Sequence, residues 1–152
     1  MNRRVSSESG FTLIEVIVVV LLLGIAAAMV LPRGYREATT GAALDTEAQK
    51  LAGVIRLARQ KAVAGGRTYK VHLSTDNYHL AWQIGDGPET DEPLREIDSH
   101  VIITKFPANR AIVFEPHGNP STEVYTIILS DKGDGTATKT IEVNGLGTVD
   151  IK

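Results

Sequence analysis

The chain has 152 residues, 43% hydrophobic and 22% charged, a balance that excludes a wholly disordered polymer. Its formal net charge of -2 supplies no field that would gather nucleic acid. It contains no cysteine, which excludes disulfides, thiolate nucleophiles and thiolate zinc sites.

The first element is a short polar head, residues 1–10, with Arg3 and Arg4 near its start and Ser9-Gly10 at its end. An apolar run of 21 residues follows, Phe11 to Leu31, with Glu15 as its one charge. As a helix it would extend ~30 Å, the thickness of a bilayer core. Two basic residues precede the run and two, Arg33 and Arg36, follow it closely, so the charge bias is small. The head is short, and exporting the larger C-terminal part is the simpler outcome, which places the N-terminus in the cytoplasm. An ordinary secretory signal is the competing reading, with Ala26-Ala27-Ala28 before Met29 as its cleavage site. The membrane length of the run, the carboxylate near its start and the polar boundary at Gly10 all favour a retained helix instead.

Glu15 is costly where it stands. A carboxylate in an apolar span costs roughly 2.5–3.5 kcal/mol at the bilayer centre and less near the edge. A cation at the same depth would offset that cost. Cleavage after Gly10 would give Phe11 a free α-amine, within reach of Glu15 on a neighbouring copy, and the pair would set the register of one helix against the next.

The segment Gly10-Phe11-Thr12-Leu13-Ile14-Glu15 resembles the cleavage and methylation motif of type IV pilins and type II secretion pseudopilins. The resemblance implies a prepilin peptidase cut after Gly10, N-methylation of Phe11 and an assembly role for Glu15. It also implies a single-pass protein of the bacterial inner membrane. Residues 1–10 would be a cytoplasmic leader, 11–31 the membrane and assembly helix, and 32–152 a periplasmic domain. Pro32 matches the proline that such helices commonly carry near the end of the apolar half.

Pro32 and Gly34 predict a kink or local loosening. Beyond them Leu44, Ala48, Leu51, Ile55, Ala58 and Ala62 recur at steps of four and three, one apolar stripe that predicts a helix packed on the chain's own sheet. Asp45, Glu47, Lys50, Arg56 and Arg59 belong to its polar remainder, and Gly65-Gly66 predicts its end. The period then changes to two. Strands are predicted at 68–74, 78–84, 101–106, 111–115, 124–130, 136–143 and 148–151. Tyr78, Leu80, Trp82 and Ile84 should face one side and His79, Ala81 and Gln83 the other. Residues 85–100 read as an acidic loop. One long helix followed by strands alone is an α+β fold, with the second half of the helix on antiparallel sheets.

This second half is similar to the minor pseudopilin H and FimT-type pilin family. The similarity rests on Ala58, Arg59, Ala62, Gly66 and Arg67, then on Phe114-Glu115-Pro116, Gly118 and Gly147-Thr148-Val149. It implies a pilin-like fold and a structural subunit of a type II secretion pseudopilus, with other pseudopilins or pilins as neighbours in a helical filament. The alternative is a minor type IV pilin for pilus assembly or DNA uptake. The tail 140–152 holds one basic residue, Lys152, so nucleic acid is not an expected partner, although Arg56, Arg59, Lys61, Arg67 and Lys70 could form a patch.

No catalytic constellation is found, so neither an enzyme nor a cofactor is expected. His72, His79, His100 and His117 lie on different segments without ligand spacing. Asp131 and Asp134, with Gly133 and Gly135, depart from the calcium-loop pattern and read as a turn. The acidic loop around Asp86, Glu89, Asp91 and Glu92 is an equally weak calcium candidate, and no metal is expected.

Overall fold

The computed structural model describes residues 12–133 and 135–152, with residues 29–40 described only as helical backbone. The chain divides into two compact units, Met1–Ala38 and Thr39–Lys152. One helix, α1 (Leu13–Gly65), is assigned through both.

In the first unit Thr12 caps the start of α1. Its Oγ1 accepts from the Glu15 N–H at 3.3 Å, and its carbonyl accepts from Glu15 and Val16 at 3.1 and 3.3 Å. The described apolar side chains that follow, to Ala28, are exposed. Among the described residues no helix is long and apolar enough to cross a membrane. The span expected at 11–31 lies partly outside the described side chains, as does Pro32 with its expected bend.

In the second unit the stripe on α1 is buried as expected. Leu44, Ala48, Leu51, Ile55, Ala58 and Ala62 are all 0–2% exposed. Small residues dominate toward the C-terminus, where alanine is the strongest helix former. The helix ends in a Schellman turn: the Arg67 N–H donates to the Ala62 carbonyl at 3.3 Å, with Gly66 at φ +58.

Two antiparallel sheets follow. The first contains β1 (Thr68–Leu73), β2 (Asn77–Gln83), β3 (Thr90–Asp91), β4 (Arg95–Glu96) and β6 (Ala111–Phe114), in the order β3-β2-β1-β6 with β4 also on β2. The second is β5-β7-β8-β9, from β5 (Val101–Lys105), β7 (Val124–Asp131), β8 (Thr138–Asn144) and β9 (Val149–Ile151). Val71, Leu80, Ile112 and Phe114 of the first sheet and Ile103, Ile127, Leu129 and Ile141 of the second join the helix stripe in one core.

Three local expectations change. The loop at 85–100 contains β3 and β4, each of two residues, which lie along β2. Ile84 is 57% exposed, because Gly85 at φ +53 and a turn from Gly87 N–H to the Ile84 carbonyl lead the chain off the sheet. Ala81 is fully buried on the face expected to be open. It lies between Lys70 and Asp91 in register, two longer residues beside one methyl group.

Candidate functional site

The N-terminal candidates divide at the edge of the described residues. Gly10 and Phe11 lie outside them. Glu15 lies inside, exposed in the first turn of α1. Thr12 and Glu15 have the spacing of a capping box, and a carboxylate in the first turn also complements the helix dipole. Glu15 therefore suits the helix start before any partner arrives. It borders a shallow hollow of about 320 Å³ with Val16, Val19 and Val20, an apolar surface with a single carboxylate at its end.

The distal residues that carried the second resemblance converge around Arg59. Its Nε donates to the Gly118 carbonyl at 3.1 Å, and Gly147 leaves space for the guanidinium stem. A Cβ on Gly147 would lie 2.7 Å from Arg59 Nε, and one on Gly118 would lie 2.5 Å from Val63 Cγ2. Both glycines have positive φ, +82 at Gly118 and +74 at Gly147. One turn earlier, Arg56 Nη2 donates to the Val149 carbonyl at 2.9 Å. Two arginines of the helix's polar remainder thus fasten α1 to the loop before β7 and to β9.

The other basic residues of the possible patch are also engaged. Lys61 pairs with Glu92, Lys70 pairs with Glu89 at 2.6 Å, and the Arg67 guanidinium lies 4.7 Å from the Trp82 ring centroid. The two ion pairs tie the acidic segment to α1 and to β1. Glu89 and Asp91 turn to one face and Glu92 reaches Lys61, as strand alternation requires.

The histidines are less scattered than the sequence indicates. His72 and His79 face each other across β1 and β2, their rings stacked at 4.9 Å with 19° between planes. His72 Nε2 contacts Glu89, and His79 Nε2 lies 3.4 Å from Asp91 Oδ1. Burial acts to raise the Glu89 pKa, but hydrogen bonds from Lys70 and His72 outweigh it and lower the value. His100 and His117 stay apart, paired with Asp98 and Glu115. Among the described residues no group of three or more His, Asp or Glu is arranged to hold a metal ion. Asp131 accepts from the Gly133 N–H at 3.1 Å, the Asx geometry of a turn, and Asp134 lies outside the described residues.

Glu47 was missed. It continues the polar face on paper, yet it is 3% exposed. Lys50 Nζ donates to its Oε1 at 2.7 Å, and Oε2 has no hydrogen-bond partner among the described residues. Its spacing from Lys50, three residues on the same face, was the available signal.

A capped apolar helix start, followed by a helix half buried against two antiparallel sheets, defines a pilin-like protein. The model of the family described as type II transport protein GspH matches residues 47–147, and the chain belongs to that family. The prokaryotic N-terminal methylation motif matches residues 5–31. Type II secretion system protein H of Pseudomonas aeruginosa is 39% identical over 115 residues, which are 75% of this chain and 62% of that protein. The chain thus matches somewhat under two thirds of that relative's length. Among solved structures, the type IV minor pilin FimU of Pseudomonas aeruginosa aligns with a TM-score of 0.60 at 12% identity, over 80% of this chain and 92% of that one. The minor pseudopilin EpsH of the Vibrio cholerae type 2 secretion system aligns at 0.54 and 14% identity, over 72% and 95%. At these identities the structural likeness shows the fold.

Proposed function

We propose that this chain is a minor pseudopilin, a structural subunit of a type II secretion pseudopilus that supports protein export. The observation that carries the reading is one chain with an N-terminal methylation motif at residues 5–31 and a GspH domain at 47–147. In this reading prepilin peptidase cuts between Gly10 and Phe11 and methylates the Phe11 amine. Residues 11–31 hold the subunit in the inner membrane, with the leader cytoplasmic and residues 32–152 periplasmic. Pro32 bends the helix where the apolar half ends. The Phe11 amine of one subunit then meets Glu15 of another, which offsets the burial of that carboxylate. The role is structural, and its partners are the peptidase and other pilin-type subunits. A minor type IV pilin shares the fold, but the 39% identity to a secretion protein H favours the secretion filament.

The test is Glu15→Ala as the sole copy in the secreting cell. The variant is expected to insert in the membrane, to enter filaments poorly and to reduce export at least about tenfold, the effect of losing ~1.4 kcal/mol of assembly energy. Wild-type export by that variant would count against the reading.

A further inference from the structure

A cleft of about 420 Å³ is lined by Lys50, Gly53, Val54 and Leu57 of α1 and by Tyr78, Arg95 and Glu96 of the first sheet. Arg95 stands opposite Tyr78 in the register of β4 on β2, so the two side chains share one face of the sheet. Tyr78 is only 3% exposed, yet its hydroxyl makes no hydrogen bond among the described residues. Burial, and after it the charge of Glu47, raises the Tyr78 pKa against a smaller opposing effect of Arg95, so the group stays a neutral phenol with a proton to donate. The Arg95 guanidinium, which can only donate, likewise has no hydrogen bond or ion pair among the described residues. Lys50 Nζ is held by Glu47 Oε1 at 2.7 Å. Glu96, the one carboxylate of the lining, makes no hydrogen bond or ion pair with any of these groups. Gly53 lies in the helix interior, where glycine is less favourable than alanine, and a Cβ there would meet nothing within 4 Å, so the chain's own packing does not call for glycine.

We infer that this cleft receives an aspartate or glutamate side chain from a neighbouring pilin-type subunit, its carboxylate accepting from the Arg95 guanidinium and the Tyr78 hydroxyl. The donor balance decides the occupant. Arg95 and Tyr78 both have protons to give and find no acceptor among the described residues of their own chain. A carboxylate brings acceptors on both oxygens and pairs with a guanidinium in a fork. Two cations against one carboxylate also leave the lining net positive. Without a Cβ at position 53 a neighbour's chain can approach the helix backbone, and Val54 and Leu57 suit the methylene stem. The inference rests on the filament reading above.

The test uses the full-length chain as sole copy, with Arg95→Ala, Arg95→Lys and Gly53→Leu beside Glu15→Ala. Arg95→Ala is expected to melt at the wild-type temperature, because the side chain is exposed and unpaired, yet to enter filaments about tenfold less well. Arg95→Lys keeps the charge and should recover most of the loss. In filaments of Arg95→Lys, a zero-length carbodiimide, which joins an amine to a carboxylate, is expected to link position 95 to an aspartate or glutamate of another pilin-type subunit. Wild-type incorporation of Arg95→Ala overturns the inference, and so does a link from position 95 to carboxylates of its own chain alone. Should Arg95→Ala melt lower, Gly53→Leu decides: incorporation at the wild-type level by a variant that fills the cleft overturns it. If Glu15→Ala also assembles and secretes normally, the filament reading fails; if it is defective while Arg95→Ala is normal, the cleft alone fails.

Discussion

At the scale of single residues, a few polar side chains fasten α1 to the loops and strands packed beside it. Arg59 is the clearest case, since its stem occupies the space that a side chain on Gly147 would take. Gly147→Ala combines a φ of +74 with a contact of 2.7 Å on the guanidinium. It is expected to destabilise by about 1–3 kcal/mol in denaturant unfolding. In the background of Arg59→Ala the added loss should be smaller, because the two changes share one contact. An equal loss in both backgrounds would contradict the cradle. The sequence displays Arg59, Gly118 and Gly147 separately, and only the folded loops make them one site. The burial of Glu47 was illegible for a related reason. Helical spacing places it near the polar face, whereas the sheet that buries it is contributed by residues far along the chain.

Among the elements, α1 was legible because its stripe is local. Steps of three and four from Leu44 to Ala62 contain the information, and Gly65-Gly66 supplies the stop. The longer strands were legible from their alternation. The short β3 and β4 were not, because two residues cannot show a period. They exist through pairing with β2 and through side-chain ties to β1 and α1. Those ties make the acidic segment sensitive to acid. Glu89 has its pKa lowered in the fold, from an ordinary 4.5. Its contribution is therefore complete above that ordinary value and disappears as pH falls through the depressed one. Hydrogen-exchange protection across residues 86–98, taken relative to the intrinsic rate at each pH, should hold down to about pH 4.5 and fall below it. Glu89→Gln should exchange faster at neutral pH and lose this part of the acid response. Protection unchanged by acid in both forms would show that the segment is held by its backbone pairing alone. The stacking of His72 on His79 arises in the same way. A register links two positions that the sequence presents as scattered.

For the whole molecule, the α+β architecture and the pilin-like family were legible before the fold was described. The six residues from Gly10 to Glu15 form a dense local pattern, and the later glycine and arginine positions extend it across the chain. Thr12 adds a physical reason for part of that pattern, because its hydroxyl also caps the helix at the Glu15 N–H. The central claim is that the apolar helix is retained after a cut at its cytoplasmic edge. Mass spectrometry of the mature N-terminus tests it most directly. Chains purified from the secreting cell are expected to begin with N-methylated Phe11. Chains that begin at Met29, as secretory processing would leave them, would contradict the claim.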